Sequence, residues 1–176
     1  MRKIILFIAS SLDGYIARSS GAVDWLFTDQ DYGYTDFFTQ IDTLVMGNKT
    51  YQQVLSFGDY PYADKEVFVF SQKQQGKTEN NATFVNRDWE EFINKIRQSS
   101  GRNIWLVGGT QTIYFFLKHK FIDELILSIH PIILGSGIPL IVNDPSLECS
   151  LNLQDVNKFD SGLLQVTYTF KNKNAD

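Results

Sequence analysis

Apolar residues in this chain fall into short unbroken runs, each closed by a glycine-bearing or polar turn and most followed by a stretch of helical length. Ile4 to Ala9 is one such run, rich in β-branched residues, and predicts a central strand buried on both faces. Ser10 to Tyr15 form a turn around Asp13-Gly14, and Arg18 to Thr28 a polar loop pinned by an aromatic anchor at Trp25 and Phe27. Tyr34 to Ile41 reads as a short helix, Thr43 to Met46 as a strand ending at Gly47, and Asn48 to Leu55 as the next helix. A loop with Gly58 and Pro61 leads to a strand at Glu66 to Ser71. The polar stretch Gln72 to Asn81 is an exposed connection, because the same rhythm resumes with a strand at Thr83 to Val85. Asp88 followed by Glu91 predicts a capping box opening a helix to about Ser99.

Asn103 to Leu117 has the strongest punctuation. Ile104 to Val107 is a buried strand, Gly108-Gly109-Thr110 a tight turn, and Gln111 to Leu117 a helix closed by Lys118-His119-Lys120, where positive charge meets the helix dipole. Glu124 to Leu134 predicts a long strand broken by Gly135-Ser136-Gly137. Leu151 to Lys158 and Leu163 to Phe170 form a hairpin across Asp160-Ser161-Gly162, and Lys171 to Asp176 a polar tail. Strands alternate with helices, then strands follow strands. This predicts an α/β fold, a mostly parallel central sheet flanked by helices with an antiparallel C-terminal hairpin.

Ligands of such sheets collect at the carboxyl ends of the strands. That rule brings together the Ala9 to Tyr15 turn, the Met46 to Thr50 turn, Ser71, the Gly108 turn and Ser128. Gly108-Gly109 and Gly47 each precede a helix start, so two sets of free amides could face one diphosphate. Lys49, Ser71 and Lys73 lie at or just past strand ends, where cations and hydroxyls suit a further phosphate. The glycine spacing is neither that of a P-loop nor that of a G-x-G-x-x-G fingerprint. Each lysine taken singly also reads as a surface charge.

The rest of the composition narrows the field. A net charge of -4 gives no basic footprint for nucleic acid. The opening apolar run is too brief for a membrane span or a signal segment, and the single Cys149 suits a reducing cytosol, so a cytoplasmic protein is expected. His119 and His130 are the only histidines, which offers no metal-ligand spacing and no supported Ser-His-Asp triad. His130, before Pro131 in an apolar strand, reads as a packing residue. Asp13 suits a turn, whereas Asp29 and Asp31 either cap a helix or, partly buried beside Trp25 and Phe27, hold or protonate a heterocycle.

Four motifs in order then carry a resemblance: Ser11-Leu12-Asp13-Gly14-Tyr15-Ile16-Ala17, Val45-Met46-Gly47-x-x-Thr50-Tyr51, Leu106-Val107-Gly108-Gly109, and Pro131-x-x-Leu134-Gly135-x-Gly137. Together they resemble the dihydrofolate-reductase-like family. The branch is the one related to the C-terminal reductase domain of the bifunctional riboflavin-biosynthesis deaminase-reductase. The match runs from Arg2 to about Phe170, so residues 1–170 are expected to form one reductase domain and 171–176 a tail. The resemblance implies hydride transfer from NADPH to a pyrimidine- or pteridine-like heterocycle, with 5-amino-6-(5-phosphoribosylamino)uracil reductase activity as the family inference. It implies that Ala9 and Ile16 contact the nicotinamide, with Val107 among the cofactor-binding residues. Gly47, Lys49 and Thr50 would contact the diphosphate and Ser71 the adenosine phosphate, Gly108 and Gly109 would face the cofactor, and Asn48, Lys73 and Thr110 complete the expected cofactor-binding set. The glycine pair is often joined by a cis peptide. Trp25 and Asp31 would face the substrate, Asp31 as the acid and Ser128 as its hydroxyl partner. Asn48 stands where the family usually carries arginine, and the deaminase half has no counterpart. Dihydrofolate reductase activity, or a non-catalytic nucleotide- or pterin-binding module, are the alternatives. The branch also implies a homodimer, for which Phe115, Phe116, Phe121 and the late strands offer apolar surface, although these aromatics read equally well as core.

Overall fold

The computed structural model describes residues 1–77 and 80–171. In chain order its elements are β1 (Ile4–Ser11), β2 (Tyr15–Ala17), α1 (Tyr34–Thr39), β3 (Ile41–Gly47), α2 (Asn48–Ser56), β4 (Glu66–Phe70), β5 (Gly76–Lys77), β6 (Ala82–Val85), α3 (Trp89–Gln98), β7 (Asn103–Gly108), α4 (Thr110–Lys118), β8 (Glu124–His130), β9 (Ile138–Pro139), β10 (Leu151–Lys158) and β11 (Leu164–Phe170), with a 3-10 turn at Pro145–Leu147. Among the described residues the strands form a sheet in the order β10-β11-β8-β1-β7-β3-β4-β6-β5, and β2 pairs with β9 in a separate ribbon. From β8 to β6 all neighbours run parallel, and β11 joins β8 antiparallel. The mostly parallel sheet with an antiparallel C-terminal hairpin is therefore as the pattern of apolar runs implies.

Because side chains alternate across a strand, the continuous apolar runs feed both faces at once. On one face Ile4, Leu6, Val45, Phe68, Ile104 and Leu106 pack beneath Ile93 and Ile96 of α3 and Ile113 and Phe116 of α4. On the other, Ile5, Leu44, Met46, Val67 and Trp105 meet Phe37 of α1 and Tyr51 and Val54 of α2. Full burial of one such aliphatic side chain stabilises the fold by about 2 kcal/mol.

Several local expectations need correction. β8 ends at His130 rather than Leu134, because Asp13 accepts the N–H groups of Leu134 and Gly135 and turns the chain across the first turn. Asp88 does occupy the N-cap of α3, but it sits in the left-handed region (φ 52°) and its side chain makes no capping bond, so the capping box does not form. Phe116 and Phe121 are 0% and 6% exposed and belong to the core, which removes them from any apolar surface. Residues 172–176 of the expected tail, and 78–79 of the polar connection, lie outside the described residues.

Candidate functional site

The two glycine turns meet. Met46 of β3 is the register partner of Gly108 of β7, so both strands end side by side and hand over to α2 and α4. A Cβ on Gly47 would stand 2.6 Å from Thr112 Oγ1, with Gly108 O and Gly109 N each at 3.9 Å. One on Gly109 would stand 3.2 Å from Thr50 Oγ1. Glycine at both places lets the two turns close on one another, with the Thr112 and Thr50 hydroxyls beside the bare backbone, and so sets the two helix N-termini, whose free amides suit a phosphate, side by side. The Gly108-Gly109 peptide is cis, with Gly108 at φ +127°, a conformation that disfavours other residues. Asn48 Oδ1 is buried there without a partner among the described residues. Lys49 is exposed, and Val107 is half-buried. The Thr110 hydroxyl donates to the Pro139 carbonyl, so it serves the β9 segment.

Ser71, just past β4, is buried; its N–H donates to Val85 O and its Oγ accepts the N–H groups of Lys73 and Gln74 at 3.3 Å. Lys73 is exposed. Beyond these strand ends opens a cavity of about 760 Å³ lined in part by Gln72, Asn86, Arg87, Asp88, Trp89 and Phe115. Arg87 and Asn86 were not singled out in the sequence, although both immediately follow strand β6 and the carboxyl-end rule covers them equally. Asn86 Oδ1 is a second buried acceptor without a partner among the described residues.

The opposite flank is built by the loop before α1. Trp25 is 7% exposed and meets His130 edge-on, with ring centroids 5.2 Å apart. His130 Nε2 accepts the Phe27 N–H at 3.2 Å, while Nδ1 lies 3.4 Å from Ser128 O. That pattern requires the neutral, Nδ1-protonated ring, and burial holds its pKa below the usual histidine range, although the Ser128 carbonyl acts in the opposite sense. Packing is thus only half of the role of His130; it also holds a loop amide.

Asp31 departs from its expected surroundings. It is exposed rather than partly buried, and its carboxylate accepts the Thr35 N–H at 3.1 Å and the Thr35 hydroxyl at 2.6 Å. These bonds hold its pKa below the ordinary aspartate value, so it stays ionised. Ser128 is not its partner, for Ser128 Oγ accepts from Gln165 Nε2 at 3.1 Å instead. Gln165 is the polar residue that sequence reading passed over, because it alternates within an ordinary strand. Ala9 is the register partner of Ser128 and lines the same face, whereas Ile16 lies in β2 and packs toward the α3–α4 cluster. No group of three or more His, Cys, Asp or Glu side chains among the described residues could hold a metal ion.

Comparison with known proteins places this geometry. The model of the RibD C-terminal domain matches residues 2–165. The chain belongs to that family. Two uncharacterized proteins of Bacillus subtilis (strain 168) are close relatives of this RibD C-terminal domain: YyaP is 37% identical over 95% of this chain and 94% of its own, and YwjB 38% over 90% and 92%. A Shewanella sp. PV-4 protein assigned to riboflavin biosynthesis superposes with a TM-score of 0.85 at 35% identity, covering 98% of this chain and 100% of that one. A Thermotoga maritima diaminohydroxyphosphoribosylaminopyrimidine deaminase/5-amino-6-(5-phosphoribosylamino)uracil reductase shares the fold, with a TM-score of 0.75 at 17% identity, covering 97% of this chain and 57% of that one. The fold is the dihydrofolate-reductase-like one, and at the level of family the chain is a riboflavin-biosynthesis reductase-like protein.

Proposed function

We propose that this chain is an NADPH-dependent reductase of a pyrimidine- or pteridine-like heterocycle, with 5-amino-6-(5-phosphoribosylamino)uracil as the substrate the family suggests. The observation that carries the reading is the pair of abutting glycine turns, which set two helix N-termini side by side in a close approach that a single Cβ at Gly47 would obstruct. NADPH, when bound, supplies the hydride from its nicotinamide ring. Gly47, Asn48, Lys49, Thr50, Gly108, Gly109 and Thr110 are the residues that would hold the diphosphate. Ala9, Ile16 and Val107 would flank the nicotinamide. With Asn48 replacing arginine, Ser71, Lys49, Lys73 and the newly placed Arg87 are left to receive the 2′-phosphate. The loop carrying Trp25 and Phe27 excludes water from the substrate end.

Asp31, ionised and exposed, suits ordering of this loop better than proton supply, and that observation favours one second reading, a nucleotide- or pterin-binding module without turnover. It equally disfavours dihydrofolate. A cytoplasmic setting belongs to the same proposal and rests on the exposed free thiol of Cys149; no helix among the described residues is long and apolar enough to cross a membrane.

Titration of intrinsic tryptophan fluorescence with NADPH and, separately, NADH tests the cofactor assignment. Saturable quenching by NADPH at micromolar concentrations, with NADH much weaker, is expected. Arg87→Ala should raise the NADPH Kd about tenfold and leave NADH unchanged, the size of one charge-assisted bond. No saturable response to either nucleotide overturns the reading. Binding without oxidation across a broad panel of heterocycles selects the module instead.

A further inference from the structure

Three segments meet at the substrate end. The loop before α1 reaches the hairpin turn where Tyr32 packs edge-on against Phe159, with ring centroids 4.8 Å apart and its hydroxyl 2.8 Å from Ser161 Oγ. Gln165 of β11 donates to the Tyr32 carbonyl at 3.0 Å. The end of β8 joins them through His130, whose ring lies 5.0 Å from that of Phe27. The walls of this end are therefore largely aromatic.

Charge is spread unevenly over the same segments. Residues 18–36, 128–137 and 157–165 carry five aspartates, at Asp24, Asp29, Asp31, Asp36 and Asp160, against two cations, Arg18 and Lys158. Neither cation is free to meet a ligand there. Arg18 donates from Nε and Nη2 to the two carboxylate oxygens of Asp24 at 2.6 and 2.9 Å. Lys158 is the register partner of Leu164, whereas Asn157 pairs with Gln165, so Lys158 stands on the opposite, α3–α4 face of the hairpin. Asp29, Asp31 and Asp160 are exposed. Asp31 also accepts the Thr35 N–H, so that backbone donor is already satisfied by an anion. The buried donor this end still offers is neutral: Trp25 is 7% exposed, and its Nε1 has no partner among the described residues.

A phosphate monoester carries about −1.5 to −2 charges at neutral pH and is held by arginine, lysine or clustered amides. Aspartates in their place select against it, because like charges brought together are unfavourable. Lys49, Lys73 and Arg87 do not relieve this, since they follow β3, β4 and β6. Strands β1 and β7 lie between β8 and β3, a separation of about 14 Å at the usual strand spacing.

We propose that the substrate end admits its heterocycle as an unphosphorylated compound and excludes the corresponding phosphate monoester. This rests on the reductase reading for the identity of the site and narrows it at one point, the phosphate on the substrate the family suggests.

The test is calorimetric titration of the full chain with 5-amino-6-(5-phosphoribosylamino)uracil and with its phosphatase-treated counterpart, each with and without saturating NADPH. The unphosphorylated compound is expected to bind at least about tenfold more tightly at low salt. That ratio should shrink as ionic strength rises from about 0.01 M to about 1 M, where the screening length falls from about 30 Å to about 3 Å. Asp160→Lys, which places a cation in the hairpin turn, should tighten the phosphorylated compound about tenfold and leave the other unchanged. Equal affinity for the two compounds, tighter binding of the phosphorylated one, binding of neither, or a ratio indifferent to salt or to Asp160→Lys overturns the inference. Failure of NADPH to bind overturns the reductase reading alone, because the two compounds are then compared in the titrations without it.

Discussion

At Asp31 both carboxylate oxygens face Thr35, and the geometry converts an expected acid into a brace for the first turn of α1. The bonds that lower its pKa favour the ionised form, so the sign of its contribution follows. Asp31 adds stability above its unfolded pKa of about 4, and that contribution is lost as pH falls through the lower folded value. A general acid is worth about 10²–10⁴ in rate, so Asp31→Asn should reduce kcat by less than about tenfold and flatten the acid limb of the melting temperature. A hundredfold loss of kcat with unchanged NADPH affinity would return Asp31 to the chemistry. The carboxylate's identity as a cap was one of two readings open in the sequence; exposure and the Thr35 contacts, which depend on how the loop leaves β2, chose between them.

The loop between β2 and α1 behaves as an element hung on one histidine. His130 accepts the Phe27 N–H and is packed between the Trp25 and Phe27 rings. Burial depresses its pKa, so it contributes stability above the ordinary histidine value near 6.5, and that stability is lost as pH falls through the folded pKa. The melting temperature of the wild-type protein should therefore fall between pH 7 and pH 5 more steeply than that of His130→Gln. Amide exchange at Phe27 should accelerate over the same range, because the protonated ring cannot accept. At neutral pH the substitution itself is expected to cost about 1 kcal/mol, one lost internal hydrogen bond. Identical pH profiles for the two proteins would remove His130 as the pin. None of this was legible from the run Ser128 to Pro131, which shows an apolar strand and nothing of the distant amide that reaches it.

For the whole molecule the unbalanced feature is the C-terminal hairpin. Leu153, Val156 and Leu164 are 56%, 50% and 40% exposed, and their register partners Tyr168, Val166 and Ile129 place them on the α3–α4 face of the sheet, beyond the reach of the helices. Asn152 and Asn157 occupy the opposite face. An exposed edge strand with one apolar face is self-complementary about a two-fold axis. We propose that the homodimer implied by the family resemblance forms through this face. Sedimentation should give twice the chain mass for the wild-type protein and a single chain for Leu153→Asp/Val156→Asp, with little change in melting temperature. A monomeric wild type would discard the interface.

The chain's own pattern determined the architecture, because continuous apolar runs such as Ile4 to Ala9 and Ile104 to Val107 can be satisfied only by strands covered on both faces, and glycine after a strand can mark a turn into a helix. It also marked Gly47 and Gly108-Gly109 as places where backbone must lie bare. The tertiary structure decided what those residues do together. Strand order sets β3 beside β7 and so joins two glycine turns 61 residues apart in sequence. It sets β11 beside β8 and so gives Ser128 a glutamine rather than an aspartate. Hydrogen-bond partners are matters of distance, and distance between remote segments exists only once the sheet has closed.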